Sequence, residues 1–152
     1  MSRTSFCSAR TYARRCTPVF YPDRYAKHGK WMDGWETRRR REPGNDWIVV
    51  ALGDAGDVKR IEVDTAHFKG NYPDKCMLQA VRLNGVTDAE AVADSVNWTE
   101  LMPEQKLQMD HVLTFDGNAI TGVGSVTHVR LNIYPDGGVR RFRVFGQLAQ
   151  ER

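Results

Sequence analysis

From residue 47 onward, apolar and polar positions alternate in short runs separated by clusters of Gly, Asp, Asn and Pro. Residues 47–52 (Trp-Ile-Val-Val-Ala-Leu) form a β-rich run, and the turn residues Gly53-Asp54-Ala55-Gly56-Asp57 predict its end. Residues 58–65 set Val58, Ile61 and Val63 among polar neighbours, close to the period of two of a half-buried strand. Residues 76–83 predict a third strand, ended by Asn84-Gly85. Only residues 86–96 have helical propensity, with Asp88 as candidate cap and a loop as the alternative. An extended pattern resumes at 98–102 and is closed by Pro103, and residues 111–115 precede the turn Asp116-Gly117-Asn118. The clearest alternation is in 127–134, where Val129, Leu131 and Ile133 share one face. Pro135-Asp136-Gly137-Gly138 interrupts it and 139–146 follows, a pattern that predicts a hairpin because glycine supplies the positive φ of tight turns.

Many short strands with little helix predict an all-β antiparallel sandwich or barrel. The 152 residues suffice for one domain, and no internal repeat lies within them. Residues 1–16 have no periodicity and are rich in Ser, Thr and Arg. A transit-type presequence, a disordered tail and the stub of a lost upstream domain all fit. The weak apolar face favours tail or stub, so 1–17 is expected as a disordered or vestigial segment and 18–148 as the domain.

Charge changes the picture mainly by where it lies. Arg3, Arg10, Arg14 and Arg15 stand in residues 1–22 without an acid, leaving 18 Lys+Arg against 19 Asp+Glu in the rest. A nearly neutral domain argues against a nucleic-acid module built on a broad basic face. No apolar run approaches the ~20 residues of a membrane span. Cys7, Cys16 and Cys76, odd in number and irregular in spacing, suggest neither a disulfide framework nor a zinc site, and fit the reducing cytoplasm. Cys76 reads as a small buried residue rather than a nucleophile.

Loosely, Asp33-Gly34-Trp35-Glu36-Thr37-Arg38, then 47–53 and 58–63, resemble the progression of discoidin-like or galactose-binding-like jelly rolls. More closely, four ordered blocks between about Pro18 and Gly146 resemble the allantoicase family: 29–41 (GKWMDGWETRRRR), 44–47 (GNDW), 63–73 (VDTAHFKGNYP) and 127–139 (THVRLNIYPDGGV). The resemblance implies an antiparallel jelly-roll β-sandwich that hydrolyses allantoate to ureidoglycolate and urea in allantoin degradation. Family members carry two such repeats in tandem and this chain carries one, so self-association into a homo-oligomer is expected to stand in for the second. The rival readings are a truncated or non-catalytic repeat and a discoidin-like carbohydrate-binding module.

A site for allantoate, a small carboxylate with two ureido groups, needs a cation, acceptors for ureido N–H groups and a proton for departing urea. His67, just past a strand end, is the first candidate for acid–base work because imidazole titrates near neutrality; the alternative is a histidine bonded to loop backbone. Asp33 and Glu36 are candidate bases, with a turn role for Asp33 and ion pairs into the Arg38–Arg41 run for Glu36 as alternatives. Arg38 suits the substrate carboxylate through its planar fork. Asn71 either holds a ureido group or shapes its turn. His128, Arg130 and Asn132 share the polar face of one strand and are substrate-binding candidates if that face lines a cleft, ordinary outward residues if it faces water. Arg39, Arg40 and Arg41 read as a solvated edge, Asp136 as hairpin chemistry, and the four tryptophans as packing. No cofactor is expected, and no His/Cys/Asp/Glu group has metal-ligand spacing.

Overall fold

The period-two alternation around residues 46–64 produces one long strand rather than two. The structure, a computed structural model, describes residues 5–8, 23–27, 29–30 and 34–149. In it β5 (Asp46–Asp64) runs unbroken through the Gly-Asp-Ala-Gly-Asp cluster expected to stop it. The glycines bend the strand instead of ending it. The register slips between Ala51 and Gly56, and a Cβ at Gly56 would lie 2.6 Å from the carbonyl oxygen of Gln147. Only glycine lets the neighbouring strand cross this corner so closely.

The bend makes β5 common to two layers. Its first part pairs antiparallel with β9 (Ser125–Tyr134), which pairs with β6 (Lys75–Val81), which pairs with β7 (Thr99–Lys106). On its other side β5 pairs parallel with β1 (Ser5–Ser8). Thus one stretch of the segment expected as a tail or stub runs as a strand. The second part of β5 lies between β11 (Arg141–Leu148) and β8 (Val112–Asp116), both antiparallel. Folding the sheet over through β5 encloses one core of alternating inward residues: Ile61 and Val63, Cys76 and Leu78, Val129, Leu131 and Ile133. Among the described residues the result is an all-β sandwich with one short α-helix. Burial pushes the Cys76 thiol up to about 12, so it stays protonated at neutral pH, a packing residue as the sequence suggested.

Three local expectations change. First, β9 and β11 do not form a hairpin, since each pairs with a different part of β5. The Asp-Gly-Gly segment instead leads into β10 (Gly138–Val139), which pairs with β4 (Trp35–Glu36). Second, Pro103 does not close a strand. β7 continues to Lys106 past a register shift between Leu78 and Cys76 on the facing strand. Of these neighbours β7 pairs only with β6, and a proline at an irregularity on an edge costs no ladder bond. Third, α1 (Asp88–Asp94) is capped by Thr87 rather than Asp88. Its hydroxyl accepts from the Glu90 N–H while the Glu90 carboxylate accepts from the Thr87 N–H. Tyr25–Ala26 and Gly29–Lys30 form a further small antiparallel pair, β2 and β3. Among the described residues no helix is long and apolar enough to cross a membrane.

Candidate functional site

The sandwich end where β5 hands over to the loop 65–73 collects the loop residues singled out in the sequence. The β10–β4 pair sets Gly138 opposite Glu36. The Gly138 N–H donates to the Asn71 carbonyl at 2.7 Å, and Asn71 Nδ2 donates to the Glu36 carboxylate. Two candidates 35 residues apart are therefore joined side chain to side chain, and both are exposed. Among the described residues Glu36 takes no ion pair from the arginine run. The Asn71 carbonyl thus closes a backbone bond of the turn, while its side chain is taken up by Glu36.

Beside this pair, Arg40 rather than Arg38 is fixed. The Arg40 backbone N–H donates to Asp136 Oδ2 at 2.6 Å and its Nη1 to Asp46 Oδ1 at 2.8 Å. Arg40 is thus no solvated edge residue and Asp136 no hairpin residue: together they tie the 37–40 segment to the segment entering β10. Thr37 completes the tie, its N–H donating to the Gly137 carbonyl at 3.1 Å. Arg38 is left exposed, without a hydrogen bond or ion pair among the described residues. Asp33 lies outside the described residues.

His67 has a left-handed backbone, φ 70°, and donates its N–H to Asp110 Oδ1 at 2.7 Å. That bond, more than the charge of Lys69 3.7 Å away, holds the Asp110 carboxyl below its usual range. The loop is further held by Ala66 N–H on Asp64 Oδ1 at 2.8 Å and by Phe68, which packs against Gly34 and Gly138.

On the polar face of β9, Arg130 and Asn132 do not face water. Arg130 is 7% exposed and Asn132 4%. Arg130 Nε donates to Asn132 Oδ1 at 3.0 Å and Nη1 to Ser95 Oγ at 2.8 Å, with the guanidinium 4.3 Å from the Trp47 ring centre. Asn132 Nδ2 donates to Gln79 Oε1 at 3.1 Å, and Asn45 donates to Asn132 Oδ1 at 3.3 Å. His128 stands apart from this network, with Nδ1 2.9 Å from Thr127 Oγ1 and its ring edge-on to Trp98. Burial lowers its pKa more than the charge of Asp88 raises it.

The sign of the His128 effect follows directly. The unfolded chain takes up the proton first, so the contribution is present above about pH 6.5 and lost as pH falls through the lower folded value. Thermal stability is therefore expected to fall from about pH 7.5 to about pH 5, and His128→Gln to flatten that slope. An unchanged slope in the variant would exclude His128. Asp110 and Glu90, held low chiefly by the backbone N–H groups of His67 and Thr87, lose their contributions at lower pH.

The fold agrees with what comparison with known proteins finds. The allantoicase repeat model matches residues 1–149. The chain belongs to the allantoicase family. It is 59% identical over 131 residues to the protein named "Probable allantoicase 2" of Burkholderia pseudomallei, covering 86% of this chain and 38% of that protein. It is 49% identical over 148 residues to "Probable allantoicase" of Stutzerimonas stutzeri, covering 97% and 43%. The solved allantoicase of Saccharomyces cerevisiae superimposes with a TM-score of 0.60 at 36% identity, over 74% of this chain and 31% of that one. The chain thus spans about two fifths of the length of the curated allantoicases it matches.

Several residues of this allantoicase repeat were not legible as site residues. Gln79 faces Arg130 across the β6–β9 ladder and Trp47 faces Asn132 across β5–β9. Alternation placed each of them on a strand face, but not which strands would be neighbours. Ser95, on the turn after α1, carried no signal at all. Among the described residues no three His, Cys, Asp or Glu side chains gather as metal ligands.

Proposed function

We propose that this chain hydrolyses allantoate to ureidoglycolate and urea. Membership of the allantoicase family over residues 1–149 carries the reading. Because urea leaves whole, the bond that breaks joins the substrate's α-carbon to a ureido nitrogen. Water gives its hydroxyl to that carbon and a proton to the departing nitrogen. Glu36 is the base that takes the proton from water, held in place by Asn71. Its exposure suits a base that must meet both water and ligand. Arg38, unpaired among the described residues and two positions along, faces ligand charge, and His67 supplies the proton to urea. Asp33 belongs to the same loop by sequence. We place the reaction in the cytoplasm, in line with the free Cys76 thiol.

The length comparison favours one alternative, a repeat active only alongside a second. The test is urea release from allantoate by the purified chain, with oligomeric state measured on the same sample. Turnover by an oligomer supports the proposal and assigns the part of a second repeat to another copy. Folded protein that releases no urea at any concentration removes the catalytic reading and leaves the non-catalytic repeat.

His67→Asn isolates the acid, since asparagine tolerates the left-handed backbone that alanine strains. Turnover is expected to drop about 10²-fold with the unfolding temperature nearly unchanged. Near-normal turnover would return His67 to a purely structural role.

A further inference from the structure

The network on β9 has a charge imbalance that its hydrogen bonds do not remove. Arg130 is 93% buried, yet its partners are an amide oxygen, a hydroxyl and an indole ring, all neutral. No carboxylate forms an ion pair with it among the described residues, whereas Arg40, Arg60, Arg140 and Arg143 each have one. A buried guanidinium without an anion is costly, and neutral acceptors offset only part of the desolvation. Burial accordingly lowers its pKa, though not enough to discharge a group that stays protonated throughout the accessible range.

The surroundings are built to orient the cation. Asn132 and Ser95 grip two of its nitrogens and Trp47 lies against the guanidinium. Asn45, Trp47 and Gln79 around it are only half-buried, so the network lies just below the surface. Carboxamides of Asn45, Gln79 and Asn132 meet at this one place, and such groups both donate to and accept from a ureido group.

We propose that Arg130 is a carboxylate-binding subsite for a small ureido acid, the ligand carboxylate taking the guanidinium and the carboxamides the ureido group. This goes beyond the proposed function by adding a second place where a ureido acid binds, apart from the one where Arg38 meets the substrate's charge, and it rests on that function for the ureido part. A planar guanidinium already oriented on an aromatic face loses little further freedom when a carboxylate docks. The subsite is distinct from the Glu36–Asn71 pair, to which the structure connects it through Asn45-Asp46 and the Asp46–Arg40–Asp136 ties.

The test is calorimetric titration of the full chain with N-carbamoylglycine, which has one carboxylate and one ureido group, beside urea and acetate. N-carbamoylglycine is expected to bind with a dissociation constant of about 1 mM or tighter, acetate more weakly and urea not measurably. Arg130→Lys keeps the charge but loses the fork, and binding is expected to weaken at least about tenfold. Should that variant not fold, the isosteric Asn132→Asp places a carboxylate on Arg130 Nε, fills the anion position from within and is expected to abolish binding. No saturable binding up to about 50 mM overturns the proposal, as does wild-type affinity in both variants. A variant whose only change is in self-association overturns it too, in favour of a carboxylate from a second copy. Binding is read without turnover, so saturable binding in the absence of urea release sinks the proposed reaction and leaves the subsite standing.

Discussion

Glu36→Gln is expected to lower urea release from allantoate by about 10²–10⁴-fold, or about 3–5 kcal/mol of barrier. The substitution is nearly isosteric. A glutamine oxygen still accepts from Asn71 Nδ2, and the Gly138 N–H still meets the Asn71 carbonyl. What disappears is the negative charge and the capacity to take a proton from water. Because Glu36 is exposed, removing its charge leaves no buried group unpaired, so the unfolding temperature should stay within about a degree or two. Turnover within about threefold of the parent would show that another group is the base. A large loss with unchanged KM assigns Glu36 to the chemical step, whereas a rise in KM alone would make it a substrate contact.

Alternation along a strand is a local consequence of the pleat, so it was legible. Val129, Leu131 and Ile133 lie in the core as the period of two required, and β6 begins one residue before the run expected of it. Strand partnership is not local, and there the reading failed. Asp136-Gly137-Gly138 announced positive φ and small side chains, and Gly137 has φ 136°. Yet those properties serve close approach instead of a hairpin. A Cβ on Gly137 would lie 2.7 Å from the Asn71 carbonyl oxygen, where the loop 65–73 crosses beneath. The site divides the same way. That Arg130 and Asn132 share a face follows from spacing alone. Their burial does not, because Trp47 and Ser95 reach them from 83 and 35 residues away. Glu36 and Asn71 each stood out, but nothing in either segment disclosed that β4 and β10 would join them. Arg40 was indistinguishable from Arg39 and Arg41 until Asp46 and Asp136 were placed around it.

The second large effect concerns the glycine on which that junction depends. Gly138→Ala is expected to destabilise the domain by about 3 kcal/mol, at the upper end of what overpacking costs. An ideal Cβ at this position would fall 2.0 Å from two ring carbons of Phe68, and Phe68 is 1% exposed, so the ring has no open side to retreat to. Moving the backbone instead would break the Gly138 N–H bond to Asn71 and the β10 pairing with Trp35–Glu36. Either response reaches the Glu36–Asn71 pair, so turnover should fall with stability rather than independently of it. Phe68→Leu separates the two responses, because a smaller side chain makes room for the methyl group. If ring contact is the cause, the two changes couple favourably, and Gly138→Ala costs about 1 kcal/mol or more less in the Phe68→Leu background than alone. Additive losses would place the strain in the β10 backbone, and a Gly138→Ala protein as stable as its parent would mean that β10 does not lie on Phe68.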